Sequence, residues 1–199
     1  MKNPAITQTT IHDIIAQRWS PRAYDATKPV SQTQVISLLE AARWAPSCFG
    51  DQPWRLVVCD KTTNPQAWQT AFECLVPGNQ VWAQHAPVLI LICASNLFTH
   101  NQKPNRWAPY DTGAAAENIC LQATALGLSA HQMGGFDAAK AQAAFAVPEQ
   151  FTLMAMMTVG YAAPADTLPD DLREREEAPR TRRPLGELFF DGVWDKAII

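Results

Sequence analysis

The sequence is short of charge, of histidine and of long apolar runs. Lys, Arg, Asp and Glu together make up 18% of its 199 residues against 47% hydrophobic residues, a balance that excludes a disordered chain. The formal net charge of −3 argues against a nucleic-acid partner, which requires a surplus of Lys and Arg on one face. The longest apolar run, Val88 to Ala94, is far too short to span a bilayer, so no membrane partner is expected. The four histidines (His12, His85, His100, His131) share no ligand spacing, and the five cysteines (Cys48, Cys59, Cys74, Cys93, Cys120) form no CxxC pair, so no metal is expected. An odd cysteine count without a signal peptide points to a reducing, cytoplasmic location. No GxGxxG follows a strand, and there is no phosphate loop ending in Gly-Lys-Ser/Thr, no HExxH and no GxSxG. A hydrolase or metalloenzyme would have to be built from residues the sequence does not advertise.

What is present is a mixture of amphipathic helices and short strands. Ile11, Ile14 and Ile15 share one helical face over about Thr10 to Gln17. Ser31-x-x-Gln34 reads as a capping box for a second helix with the stripe Val35, Leu38, Leu39 and Ala42, closed before Pro46. Strands are expected over Trp54–Cys59, over Val88–Ala94 as a central buried strand, up to Met133, and over Thr152–Val159. Helices are expected over Gln66–Cys74, Asp111–Leu126 and Asp137–Phe145, with a turn at Pro77-Gly78-Asn79 and Gly127 as a C-terminal cap. The alanines of Asp111–Leu126 suit close packing against a helix or a second subunit. Met154, Met156 and Met157, and the rings of Trp44, Trp54 and Trp82, read as packing residues of the core or of an interface. The tail from Pro164 to Pro184 is polar and proline-bearing. Without strict strand–helix alternation, α+β is the expected class, and with no repeat or linker residues 1–199 form one domain.

Two segments stand out chemically. Arg18-Trp19-Ser20-Pro21-Arg22 offers two guanidiniums and a hydroxyl able to grip a phosphate, although a solvated, proline-broken helix end has the same composition. Ala45 to Trp54 joins a helix to a strand through small or polar side chains; it either admits a planar ligand to the backbone or is simply a turn. Their order and spacing resemble the nitroreductase family, whose signature is Arg-x-Ser-x-Arg/Lys followed by a helix ending in Ala-Pro-Ser-Ser-x-Asn-x-Gln-Pro-Trp. The positions here are Arg18, Ser20 and Arg22, then Ala45, Pro46, Ser47, Cys48, Gly50, Gln52, Pro53 and Trp54. Asp111-Thr112-Gly113 with Asn118, Gly127-Leu128, Met133-Gly134-Gly135-Phe136-Asp137, Val159-Gly160-Tyr161 and Arg180-Thr181-Arg182-Arg183-Pro184-Leu185 continue the series along nearly the whole chain.

The resemblance implies a nitroreductase-like α+β fold, with a mainly antiparallel central sheet flanked by helices and the domain completed by homodimerisation. It implies an FMN cofactor with NAD(P)H as electron donor, and a small-molecule electron acceptor such as a nitroaromatic or quinone. Arg18, Trp19, Ser20 and Arg22, joined by Arg180 and Arg182, would hold the phosphate and ribityl chain, with Arg183 an alternative in that run. Pro46, Ser47, Cys48 and Gly50 would meet the flavin from the partner subunit. Gln132, Met133, Gly134 and Gly135 would pass its reactive edge, where a glycine N–H can donate to N5. Without the resemblance, Arg180 to Arg183 read as a solvated run balancing Glu174, Glu176 and Glu177. Two positions depart from the family: its second serine is Cys48 here, read as a neutral packing thiol, and its asparagine is Gly50. Trp107 and Asn79 are further candidates for contact with substrate or flavin. Alternatives are another flavin reaction on the same scaffold (reductive dehalogenation or an oxygen-dependent oxidation) and a non-enzymatic flavin-binding protein.

Overall fold

The apolar run after Pro87 forms strand β2 (Val88–Ser95), and every residue of it except the last is buried. Only a strand covered on both faces and paired along both edges satisfies such a sequence, and the computed structural model, which describes residues 3–199, supplies both. Strand β1 (Trp54–Asp60) pairs one edge and β4 (Phe151–Gly160) the other, while β3 (Ser129–Met133) extends the sheet beyond β4. The order is β1-β2-β4-β3 with every pairing antiparallel. The class is therefore α+β, with the mainly antiparallel central sheet flanked by helices that the resemblance implies.

Alternation along β2 divides the core in two. Val88, Ile90 and Ile92 face a layer built by α2 (Gln32–Arg43) and α5 (Ala108–Ala125), through Val35, Leu38, Ala115 and Ile119. Leu89, Leu91 and Cys93 face the opposite layer, where Trp68 and Ala71 of α3 (Pro65–Glu73) pack with Trp82 of α4 (Pro77–Ala83). Each fully buried Leu or Ile contributes about 1.5–3 kcal/mol of transfer free energy. Ala115, Ala116 and Ala123 let α5 lie close to α2 and the sheet, as its alanine content requires.

Local signals account for most boundaries. Ser31 and Gln34 form the expected capping box: Gln34 N donates to Ser31 Oγ at 3.2 Å, and Ser31 N to Gln34 Oε1 at 3.0 Å. The expected turn at Pro77-Gly78-Asn79 is instead the first turn of α4, where Pro77 loses no intrahelical hydrogen bond. Helix α5 likewise starts earlier than expected, because Pro109 is tolerated in its first turn. Helix α1 (Asp13–Gln17) is shorter than its periodicity implies, with His12 Nδ1 accepting from Ile14 N at its start. Trp54 and Trp82 are buried, whereas Trp44 is 73% exposed; Met156 and Met157 are core residues. The polar tail is not plain coil: it forms α7 (Asp170–Glu177). Helix α6 (Ala138–Ala144) is capped by Asp137. Among the described residues no helix is long and apolar enough to cross a membrane.

Candidate functional site

Residues 18–22 leave α1 in an extended path, and their side chains separate. Arg18 turns toward α5, its Nε 3.6 Å from Glu117 Oε1, and its Nη1 donates to Ser20 Oγ at 3.2 Å. Trp19 lines a cavity of about 360 Å³ with Asn3, Gln17, Asp25, Lys28 and Tyr161. Its Nε1 is buried and has no partner among the described residues.

Proline at position 21 and the need to keep a backbone polar group paired shape the rest of the segment. Pro21 O accepts from His131 Nδ1 on β3 at 2.9 Å, which places the ring proton on Nδ1. The His131 ring stacks on Trp82 with centroids 4.7 Å apart. Burial, seconded by Arg22 and Arg18, pulls its pKa down from 6.5 to about 4. The next two amides, Arg22 N and Ala23 N, donate to the carboxylate of Glu176 on α7, at 3.0 Å and 3.3 Å.

The other arginines arrive from the far end of the chain. Ala178 is extended, α7 stops there, and Arg180 follows two residues on. Arg180 Nη1 donates to Asn3 O at 2.8 Å and Ala16 O at 3.1 Å, which ties the C-terminal tail to the α1 region. Burial lowers the pKa of its guanidinium, and the nearby charges of Arg18 and Arg182 lower it further. Arg182 is exposed and its Nη1 donates to Thr181 O at 2.8 Å, and Arg183 is exposed beside it. Three guanidiniums from opposite ends of the sequence thus share one region, with Glu117 as the acidic neighbour of Arg18. Such a group favours a multiply charged anion with oxygen acceptors.

Strand β3 leads from His131 to the glycine pair. Gln132 is exposed, with its Nε2 3.7 Å from Cys120 Sγ, one turn of α5 beyond Glu117; Met133 is buried. The carbonyl of Gly134 accepts from Phe136 N, and that of Gly135 accepts from both Val76 N and Asn79 Nδ2. Neither glycine N–H donates to a partner among the described residues. A Cβ at Gly134 would meet nothing within 4 Å, so that side is open to a ligand. A Cβ at Gly135 would lie 2.7 Å from Asn79 Nδ2. Asn79 therefore sets the direction of the peptide that follows Gly135.

The segment Pro46, Ser47, Cys48 and Gly50 lies elsewhere. Cys48 N donates to Asp111 Oδ2 at 2.9 Å, near the start of α5. Asp111 and Glu117 are six residues apart, about 9 Å along the helix axis. Within one chain, then, this segment is not brought against the arginines. Ser47 Oγ accepts from Gln52 N at 3.0 Å, and Phe49, Gly50 and Gln52 all have positive φ (56°, 66° and 50°). Gly50 stands where the family has asparagine, and the left-handed region is the one both residues favour, so the backbone course survives the change. The exposed Phe49 ring meets Phe98 and His100 edge-on or nearly so. Asp51 holds that neighbourhood by accepting from Thr99 N at 2.8 Å. Trp107 is 41% exposed and caps α5, with Arg106 stacked over its ring.

Two residues at this site escaped the sequence reading. His131 appeared only as a histidine without ligand spacing. Glu176 was read as solvated charge, yet it is 5% exposed and bonded to the backbone of residues 22 and 23. The available signal was Leu172 and Glu176 four apart, the two buried residues of α7.

A solved oxidoreductase containing FMN superposes with a TM-score of 0.90 at 34% identity, over 98% of this chain and 98% of that one. Protein DrgA of Synechocystis is 27% identical over 94% of this chain and 98% of its own length. The major NAD(P)H-flavin oxidoreductase of Aliivibrio fischeri is 29% identical over 48% of this chain and 44% of its length. The Nitroreductase family model matches residues 15–161, and this chain belongs to the nitroreductase family.

Proposed function

We propose that this protein is an FMN-dependent NAD(P)H oxidoreductase that reduces a small electron acceptor such as a nitroaromatic or quinone. The observation that carries the reading is the meeting of Arg18, Arg180 and Arg182, with Arg18 on the stretch of α5 that touches β3, the strand that leads to the open side of Gly134. These residues fit FMN, which has a doubly charged phosphate at one end and a planar ring at the other. Arg18, Ser20, Arg22, Arg180 and Arg182 hold the phosphate and ribityl chain. Gln132 and Met133 carry the backbone past the ring, and a glycine N–H of Gly134 or Gly135 donates to its N5 edge. Trp19, between Arg18 and Ser20 in the sequence, joins this group. FMN, when bound, supplies hydride and electron transfer, chemistry that no side chain here carries.

Residues 1–199 act as one domain, completed by a second copy in a homodimer. An apolar groove of about 450 Å³ between α1, α2 and α5, lined by Ile14, Ile15, Trp44 and Leu121, supports that assembly. In the dimer, Pro46, Ser47, Cys48 and Gly50 of one copy cover the flavin site of the other. The Phe49–Phe98–His100 cluster next to them presents ring faces and edges to an aromatic acceptor. The five free thiols agree with a reducing, cytoplasmic setting.

The test is the visible spectrum of the purified protein before and after anaerobic addition of NADH or NADPH. A flavin spectrum that bleaches, and returns on addition of a nitroaromatic or quinone, is the expected result. Flavin that binds but is not reduced would favour a non-enzymatic flavin protein. Reduced flavin reoxidised by oxygen or by a halogenated substrate, and not by these acceptors, would favour the other flavin reactions. A protein that takes up no FMN would sink the proposal.

A further inference from the structure

Glu176 lies beyond residues 15–161, which the family model matches, and its surroundings are unusual for a carboxylate. Helix α7 carries seven charged residues among its eight, and only Leu172 and Glu176 turn inward. A side chain at this position on an otherwise solvated helix would ordinarily be apolar. Instead the carboxylate reaches across 154 residues of sequence, and both of its oxygens accept from Arg22 N at 3.0 Å. Oε1 also accepts from Ala23 N at 3.3 Å. The Arg22 guanidinium is not among its hydrogen-bond partners, so that cation stays available to a ligand. Burial raises the Glu176 pKa, against the pull of the two amides and of Arg22. A buried carboxylate kept at this cost, bonded to the backbone beside Arg22, is hard to explain as helix packing alone.

We infer that Glu176 is a positioning residue for the anion end of the flavin site, clamping the Arg18–Arg22 segment to the helix that delivers Arg180 and Arg182. The inference rests on the FMN reading given above. Three neighbouring contacts make the clamp specific. His131 fixes Pro21 O from β3, Glu176 fixes the next two amides from α7, and Arg180 bonds back to Ala16 O at the end of α1. Ala23 is held in turn beyond the end of β4, its O accepting from Ala163 N at 3.0 Å beside the isolated Tyr24–Ala162 bridge. Residues 18–22 are thereby held from three directions through their backbone, and the clamp uses neither the Arg18 nor the Arg22 guanidinium. Glutamine at 176 keeps the shape but presents an NH2 group to main-chain donors, so one oxygen's worth of acceptance is lost and the segment is freed.

The decisive comparison is the affinity for FMN against that for riboflavin, which has the same ring without the phosphate. Flavin fluorescence quenching would be measured for the wild type, Glu176→Gln, Glu176→Asp and a packing control, Leu172→Ala, with circular dichroism checking each fold. The wild type is expected to prefer FMN. Glu176→Gln is expected to lose about tenfold or more in FMN affinity, the scale of one charge-assisted hydrogen bond, with little change toward riboflavin. Glu176→Asp should recover part of the preference, and Leu172→Ala should leave the ratio unchanged. Equal losses for both flavins, no loss for either, or a Glu176→Gln protein that does not fold would make the residue structural and overturn the inference. A wild type that binds neither flavin, or both equally, would instead overturn the phosphate-site reading and the inference with it.

Discussion

At the scale of single residues, two buried ionisable groups hold the same stretch of backbone and respond oppositely to pH. The fold favours neutral His131, whose pKa is held at about 4 against an ordinary 6.5. Its contribution to stability is therefore complete above pH 6.5 and is lost as pH falls through 4. The shift corresponds to about 3 kcal/mol, an upper figure for a ring that is partly reached by solvent. Glu176 has the reverse sign: its raised pKa means that the fold favours the protonated acid, a contribution lost as pH rises through the folded value. Melting temperature against pH for wild type and His131→Phe isolates the imidazole. The wild type should lose more stability between pH 6.5 and 4 than the variant, and parallel curves would exclude His131 as the titrating group. The thiols of Cys59, Cys93 and Cys120, pushed up to about 11 by burial, are inert packing groups at neutral pH.

At the scale of elements, caps and close approaches carry measurable weight. Ser31→Ala removes the hydroxyl acceptor of the α2 capping box and should cost about 1 kcal/mol. A shifted denaturant midpoint at unchanged slope would show it, while an unshifted midpoint would mean that tertiary packing alone holds the first turn of α2. Gly160 ends β4 against two rigid neighbours: an added Cβ would stand 2.7 Å from Pro87 Cδ and 2.9 Å from Tyr24 Cδ1. Neither a proline ring nor a buried tyrosine can withdraw freely, so Gly160→Ala should destabilise by about 1–3 kcal/mol. A variant as stable as wild type would show that Tyr24, which forms an isolated antiparallel bridge with Ala162, can shift to make room. Elements also explain the boundary differences. Proline reads as a breaker from sequence, yet Pro65, Pro77 and Pro109 all open helices, because the first turn has no use for the missing N–H.

At the scale of the whole molecule, the flavin site proposed above needs two copies of the chain. Leu121 lies in the groove between α1, α2 and α5, and Trp44 and Ile15 beside it are 73% and 51% exposed. Exposed apolar groups of this size, brought together, mark an association surface. Leu121→Asp places a charge there and is expected to shift sedimentation toward the monomer and to weaken FMN binding in parallel. A monomeric variant that keeps full FMN affinity would refute the shared site, and a variant that remains dimeric would move the interface elsewhere.

The strands and helices were legible from the sequence because their signals are local: the continuous apolar run of β2, the Ser31–Gln34 pair, and the alanine content of α5. The ordered motifs from Arg18 to Leu185 likewise indicated the family, since each is a short string of residues. Tertiary structure alone decided how those strings meet. It set Ser47 and Cys48 near the start of α5, away from the Arg18–Glu117 contact, and gave His131 and Glu176 backbone partners 110 and 154 residues distant. A buried carboxylate and a solvated one have the same spelling on a charged helix. What separates them is whether folding brings unpaired main-chain donors within reach, and that is a property of the packed chain rather than of any stretch of its sequence.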